Sequence, residues 1–292
     1  MTTAAAPALA PSLAALDAAV SWCSFRLGMP PRGVAACPAR PGARPAGETG
    51  GWIRCSDALA VPAFFPRWQE ELRARMAQAY ATVPPVTPAG YVMGWYAGMF
   101  GYLGGTLFHL HRRVPSLAPE HLAFRLDPVQ RRPVEVALLD DAFGCLPADP
   151  AAGAAAATVL PDDSALAAAL RAEVAAHGER FVAAYRASSR FGPHTLWGAV
   201  TDALDRGVWH AAHQRGDDAA GASDAALVLP RRLPPFTSGS TIRAEGGRWT
   251  RTRQSCCFYY KLPGVQSPCS TCPRLAHRRC PNGGGLNADG SP

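Results

Sequence analysis

Charge is scarce in this sequence: Asp, Glu, Lys and Arg make up 17% of 292 residues, and Lys261 is the one lysine among 29 basic residues. Long, strongly apolar runs are scarce as well. Gly90 to Leu110 passes 21 residues without a charge, but its glycines, three tyrosines and a histidine keep its hydropathy below that of a span of about 20 strongly apolar residues. A buried helix is the expectation there, with the pairs Gly94/Gly98 and Gly101/Gly105 allowing close backbone approach. No basic residue precedes Arg26, so the N-terminal stretch makes a poor secretory signal and a cytoplasmic location is expected. Several enzyme motifs are missing too: the phosphate-binding G-x-x-x-x-G-K-[ST] loop, a G-x-G-x-x-G turn between strand and helix, the G-x-S-x-G elbow and the H-E-x-x-H helix.

What is present is a chain with material for a sizeable core, 48% hydrophobic and 9% aromatic, which excludes collagen-like and fully disordered classes. Its positive charge is concentrated. Residues 241 to 280 hold eight basic residues against Glu245 alone, a net +7 that equals the charge of the whole chain. A neutral body with one basic segment implies a local anionic guest or partner, not broad coverage of nucleic acid. Cysteine is clustered in the same place. Of nine cysteines, Cys256, Cys257, Cys269, Cys272 and Cys280 fall within 25 residues, while Cys23, Cys37, Cys55 and Cys145 are scattered. Such clustering in a chain of this length points to metal binding before disulfides.

The predicted organisation is an α+β fold, predominantly helical, with a small antiparallel sheet and an irregular C-terminal cluster-binding loop. Residues 12–146 form an N-terminal helical and hairpin region, 164–240 a helical region and 241–280 the cysteine-bearing segment, with flexible tails at 1–11 and 281–292. Leu13, Leu16, Val20, Cys23 and Leu27 recur at helical spacing after Ser12, a candidate N-cap, and predict a helix ending near Gly28. Trp68, Leu72, Met76 and Tyr80 predict a second helix, closed by Pro84 and Pro85. Met29–Gly51 reads as a loop. Segments 121–126 and 133–139 read as a hairpin, 147–163 as a linker, 164–186 and 196–213 as helices, and 225–229 as a short strand. His210 and His213 read as helix-surface or capping residues, and His109 and His111 as structural.

The chemistry-bearing motif is Cys256-Cys257, eleven intervening residues, then Cys269-x-x-Cys272. Thiolates are soft donors for zinc or iron–sulfur centres, and a C-x-x-C turn converges two sulfurs locally. Pro263-Gly264 can return the chain between the two halves. Structural zinc knuckles take each ligand pair from residues two to four apart. Adjacent thiolates diverge in an extended backbone and suit separated iron acceptors better, although a distorted turn could still bring them to one ion.

Cys256-Cys257-Phe258-Tyr259-Tyr260 and Cys269-Ser-Thr-Cys272-Pro273 resemble the C-terminal signature of the FhuF-like ferric-siderophore reductases: a Cys-Cys pair, about ten residues, and Cys-x-x-Cys, around a 2Fe-2S cluster. The gap here is one residue longer, and the specific resemblance covers about residues 250 to 274. It implies a 2Fe-2S cofactor on Cys256, Cys257, Cys269 and Cys272, single-electron reduction of a ferric siderophore, and a separate electron donor of ferredoxin or flavin-reductase type. No general acid or base is required, and nucleic acid is not an expected partner; peripheral association with the inner membrane face is left open. The basic segment is expected to favour the reduced cluster, and Phe258, Tyr259 and Tyr260 to limit its solvent access. Arg253, Lys261, Arg274 and Arg278 are candidates for attracting an acidic donor or an anionic chelate, and Cys280 reads as a peripheral thiol. The competing readings are a zinc-binding interaction module and a siderophore-pathway protein that binds the chelate without reducing it.

Overall fold

The computed structural model describes residues 8–20, 22–29 and 51–275. Cys37, Arg278, Arg279, Cys280, the tail at 281–292 and most of the Met29–Gly51 stretch lie outside the described residues. The fold is α+β and predominantly helical. Helix α1 (Ala10–Ala19) starts two residues before Ser12, with Pro11 in its first turn, and buries Leu13 and Leu16. It does not run on to Gly28, because Ser24–Leu27 form strand β1, paired in parallel with a later strand. Cross-strand pairing here overrides the helical spacing. Cys23, between the two elements, is a buried core residue as expected.

Strand β2 (Ile53–Arg54) leads into helix α2 (Cys55–Ala60). Helix α3 (Phe64–Met76) buries Trp68 and Leu72 but ends one turn short of Tyr80. Helix α4 (Val86–His111) contains the uncharged run, and its middle is buried on every side, which explains why the sequence tolerates no charge there. No helix among the described residues is long and apolar enough to cross a membrane. After β3 (Arg113–Pro115) come β4 (Leu122–Leu126) and β5 (Pro133–Leu138), the expected antiparallel hairpin with Phe124 opposite Val136. The sheet order is β1-β5-β4-β2, so the parallel β1 makes it mixed. Strands β6 (Phe143–Cys145) and β7 (Ala157–Val159) complete a second small sheet with β3, so the stretch 147–163 contributes a strand.

Helix α5 (Asp163–Ser188) is capped by Asp162, whose carboxylate accepts the backbone N–H of Ala165 at 2.8 Å. Helix α6 (Pro193–Gln214) crosses α4 at very short range. A Cβ on Gly105 would lie 2.7 Å from the Val208 nitrogen, and one on Gly207 would lie 2.6 Å from the Tyr102 Cα. The Gly101/Gly105 pair therefore serves the predicted close approach. Gly94 and Gly98 do not: a Cβ at Gly98 meets nothing within 4 Å. The predicted strand at 225–229 is instead the last turn of helix α7 (Asp218–Val228) and its C-cap, Leu229. The break before it comes from Gly216 at φ +74°, whereas Gly221 makes room for Ala212 and Trp209 of α6. Asp224 of α7 accepts from His109 at 2.7 Å and from Arg112 at 2.6 and 2.8 Å, locking α7 to the end of α4. A two-residue hairpin, β8 (Arg243–Glu245) and β9 (Arg248–Thr250), turns on Gly246 and Gly247, both at positive φ.

His177 of α5 is buried in the aromatic core. Its Nδ1–H donates to the Leu117 carbonyl at 2.6 Å, its Nε2 lies 3.2 Å from the Tyr96 hydroxyl, and its ring stacks on Phe100. Burial pushes its pKa down to about 4. As pH falls through about 6.5 the unfolded chain takes the proton first, so the contribution is complete above that pH and is lost toward about 4. The expected loss is roughly 3 kcal/mol. Denaturant titrations between pH 7 and 4.5 should show it, and His177→Gln should flatten the slope; an unchanged slope would refute the assignment.

Candidate metal centre

The four motif cysteines follow β9 in an irregular segment. Pro263 and Gly264, the latter at φ +81°, make the return, closed by the Val265 N–H donating to the Leu262 carbonyl at 3.2 Å. The Arg253 N–H donates to the Thr271 carbonyl at 2.9 Å, joining the start of the segment to the C-x-x-C turn. Within that turn the Cys272 N–H donates to the Cys269 carbonyl at 2.9 Å. Cys256, Cys257 and Cys269 are half-buried and Cys272 is buried.

The thiols meet two and two: Cys257 with Cys269, and Cys256 with Cys272. Each pair takes one member of the adjacent dipeptide and one of the C-x-x-C. Among the described residues no three His, Cys, Asp or Glu side chains gather closely enough to hold a single metal ion. The Phe258 N–H donates to Cys256 Sγ at 3.3 Å, and the Tyr259 N–H to the Cys257 sulfur. Such donors stabilise charge on sulfur. The hydrogen bond from the Cys269 thiol draws the Cys257 pKa down, with the Tyr259 N–H and Arg253 assisting against burial; Cys269 is pushed up by the same partnership.

Two long helices hold this segment, and none of the residues that do so stands out in the sequence. Asp202 of α6 accepts from the backbone N–H groups of Gln254 at 2.7 Å and Ser255 at 2.8 Å, and from the Ser255 hydroxyl at 2.6 Å. Its carboxylate also lies 3.6 Å from the Arg253 guanidinium. Thr87 of α4 donates to the Phe258 carbonyl at 3.2 Å, and Phe258 stacks on Phe191 at 5.4 Å. Glycine permits both approaches: a Cβ on Gly90 would lie 2.9 Å from the Phe258 ring and 3.0 Å from the Cys257 oxygen, and one on Gly198 would lie 3.2 Å from the Gln254 oxygen. Gly90→Ala is therefore expected to shift the cysteine pair at a cost of about 1–3 kcal/mol, read as lower iron content after purification. Gly98→Ala, on the same helix but facing open space, should retain the full content.

The basic segment is distributed unevenly about the thiols. Arg253 sits beside Cys257 and Cys269. Arg251 is buried against α6, donating to the Asp202 carbonyl at 3.1 Å, and Arg243 pairs with Glu245 at 2.8 Å. Arg274 lies over the Tyr260 ring at 4.6 Å, and Lys261 is exposed. Tyr259 is hydrogen-bonded to Tyr80, which fixes the aromatic run to the chain beyond α3.

A cavity of about 620 Å³ opens against Cys257 and Cys269. Its α4 wall is the glycine stripe Gly90, Gly94 and Gly98, and its α6 wall includes Arg206 and His210. The predicted surface histidine is thus part of a cavity wall, with Nδ1 2.6 Å from the Tyr102 hydroxyl and a pKa lowered to about 4 by burial and then by Arg206. His213 pairs with Asp218 at 2.6 Å.

The whole chain matches no curated protein. Residues 253–274, with all four motif cysteines inside the stretch, match the model of the FhuF 2Fe-2S C-terminal domain, a similarity of this segment that supports a 2Fe-2S cluster as its cofactor.

Proposed function

We propose that this protein is a ferric-siderophore reductase in which Cys256, Cys257, Cys269 and Cys272 hold the cluster. The FhuF 2Fe-2S domain supports an iron–sulfur, siderophore-associated role. The observation that carries the finer reading is the cavity that reaches Cys257 and Cys269: a chelate lodged there would lie against two of the four ligands.

When bound, a 2Fe-2S cluster supplies transfer of one electron at a time. The chain's own residues perform the rest. The thiols are paired and supplied with N–H donors, and Asp202 keeps their loop in register with α6. Arg253, between Asp202 and the thiols, places a fixed positive charge where reduction adds a negative one, favouring the reduced form. The chelated iron gains one electron and passes from Fe(III) to Fe(II), with no covalent bond to the protein. Oxygen-rich hard donors hold Fe(II) far more weakly, so the metal leaves. The electron comes originally from a separate ferredoxin- or flavin-type reductase in the same compartment, expected to be the cytoplasm. The exposed Lys261 and Arg274 suit an acidic donor of that kind.

The test is anaerobic. Protein reduced with dithionite and freed of reductant is mixed with a ferric siderophore in the presence of a chromophoric Fe(II) trap. Recovery of the oxidised visible spectrum together with about one Fe(II) per chain supports the reading. A coloured protein that stays reduced would make it a non-reducing binding protein, and a colourless one containing zinc would make it an interaction module.

A further inference from the structure

The four thiols form two unequal halves of one centre. Cys257 lies in contact with Cys269, and Cys256 with Cys272, as two thiolates on one tetrahedral iron do. Of the four, Cys257 and Cys269 border the cavity, whose other walls come from α4, α6 and, at Arg132, the turn before β5. Cys272 of the second pair is buried, at 2% exposure. One metal position therefore faces the cavity and the other is turned away from it.

Hydrogen bonds to sulfur and nearby positive charge decide where an added electron settles, because each stabilises negative charge on the ligand it touches. The centre as a whole is negative in both oxidation states, so what matters is the side on which these groups lie. The cavity-side pair has more of them. Cys257 accepts from the Tyr259 N–H and from the Arg253 guanidinium, and Arg253 also acts on Cys269. Arg253 is held in place: its backbone N–H donates to the Thr271 carbonyl at 2.9 Å, inside the C-x-x-C turn, and its Nη2 donates to the Ser255 hydroxyl at 3.2 Å. Its side chain is 17% exposed, so solvent screens it little. Asp202 lies 3.6 Å away, but its charge is shared with the two N–H groups and the hydroxyl of Gln254 and Ser255. The second pair has the Phe258 N–H on Cys256 at 3.3 Å, and Arg253 acts on Cys256 less than on Cys257 and Cys269. The next arginine in the segment, Arg274, is exposed and lies over the Tyr260 ring.

We propose that Arg253, with the Tyr259 N–H, makes the iron on Cys257 and Cys269 the one that becomes ferrous when the centre takes up an electron, so that the electron rests on the cavity side. In this step one ferric ion becomes ferrous, its neighbour stays ferric, and no bond forms or breaks. Arg253 is thus a positioning residue for the electron. The inference rests on the reductase reading and deepens it: an electron held on the other iron would still have the width of the centre to cross before reaching a chelate in the cavity.

The two halves can be told apart by isotope labelling, because Phe258 donates to one and Tyr259 to the other. Full-length, cluster-loaded protein is prepared with nitrogen-15 phenylalanine or with nitrogen-15 tyrosine, reduced with dithionite and measured by pulsed electron paramagnetic resonance. In a coupled ferric–ferrous pair the ferric ion carries the larger share of the net spin. The phenylalanine sample is therefore expected to show the larger nitrogen coupling and the tyrosine sample the smaller. Equal couplings, or a larger one from tyrosine, would overturn the assignment. Arg253→Gln should move the redox equilibrium about tenfold toward the oxidised form, which is about 59 mV for one electron, and should bring the two couplings together. Arg253→Lys keeps the charge and should retain most of the potential and of the difference between couplings. Arg274→Gln, which removes an exposed charge from the same segment, should alter neither; couplings indifferent to Arg253→Gln, or moved as much by Arg274→Gln, would remove the role given to Arg253. No siderophore enters these measurements. Localisation as expected in a protein that passes no electron to a ferric chelate would remove the reductase reading and leave the asymmetry standing, whereas equal couplings in a protein that does reduce one would remove this inference alone.

Discussion

Cys257→Ser protein is expected to purify colourless, with iron and acid-labile sulfide falling from about two of each per chain to near zero. Cys257 pairs with Cys269 and receives the Tyr259 N–H, so its removal takes away one ligand and the partner of another. Serine offers a harder donor with a far higher pKa, ill-suited to an iron–sulfur centre. Cys256, Cys269 and Cys272 should behave alike. The control is Cys145→Ser. Cys145 lies buried in β6, away from the motif, and a hydroxyl in that site costs about 1–3 kcal/mol of stability but leaves the absorption intact. Visible spectra, metal analysis and electron paramagnetic resonance of the reduced proteins decide the point; equal loss of colour in the Cys145 and Cys257 variants would contradict the ligand set.

The second large effect is expected at a residue that touches no sulfur. Asp202→Ala removes the acceptor of two backbone N–H groups and the Ser255 hydroxyl, and takes the counter-charge from Arg253. Breaking one side of such a largely buried, charged network costs about 3–5 kcal/mol. The cost falls on the residues immediately before the cysteine pair, so it should emerge as faster loss of the cluster to a chelator and not only as a lower midpoint of unfolding. Asp202→Asn keeps one acceptor oxygen but sets an amide donor where the other stood, and should be intermediate. A wild-type rate of cluster loss in Asp202→Ala would show that the loop holds its shape without α6.

Both predictions mark how far the sequence could be read. The cysteines were legible because their spacing is local: two adjacent thiols and a C-x-x-C around a Pro-Gly return suffice to suggest a shared centre. The long helices were legible for a similar reason, since 164–186 and 196–213 carry several turns of periodic burial. Shorter elements were decided by neighbours. Residues 24–27 become a strand because β5 offers its edge, and 218–228 a helix because Asp224 anchors it to α4 and Gly221 lets it close on α6. The hairpin that turns on Gly246 and Gly247 went unread in the sequence and came only with the structure.

Asp202, Gly90 and Gly198 had no such signal. Nothing in the local sequence distinguishes Gly90, which receives the cysteine loop, from Gly98, which opens onto a cavity, or from Gly105, which admits another helix.

The sequence by itself supplied the cysteine motif, the resemblance that points to a 2Fe-2S cluster and the placing of net charge, since each depends on residue identity and short-range spacing. Only the tertiary structure decided how the sulfurs pair, what holds them and what lies beside them. Those depend on side chains from α4, α6 and the turn before β5 converging across long stretches of chain, and no local pattern specifies that convergence. Arg206 is the clearest instance: in sequence it is one arginine on a helix, and in the fold it lines the same cavity as Cys257 and Cys269.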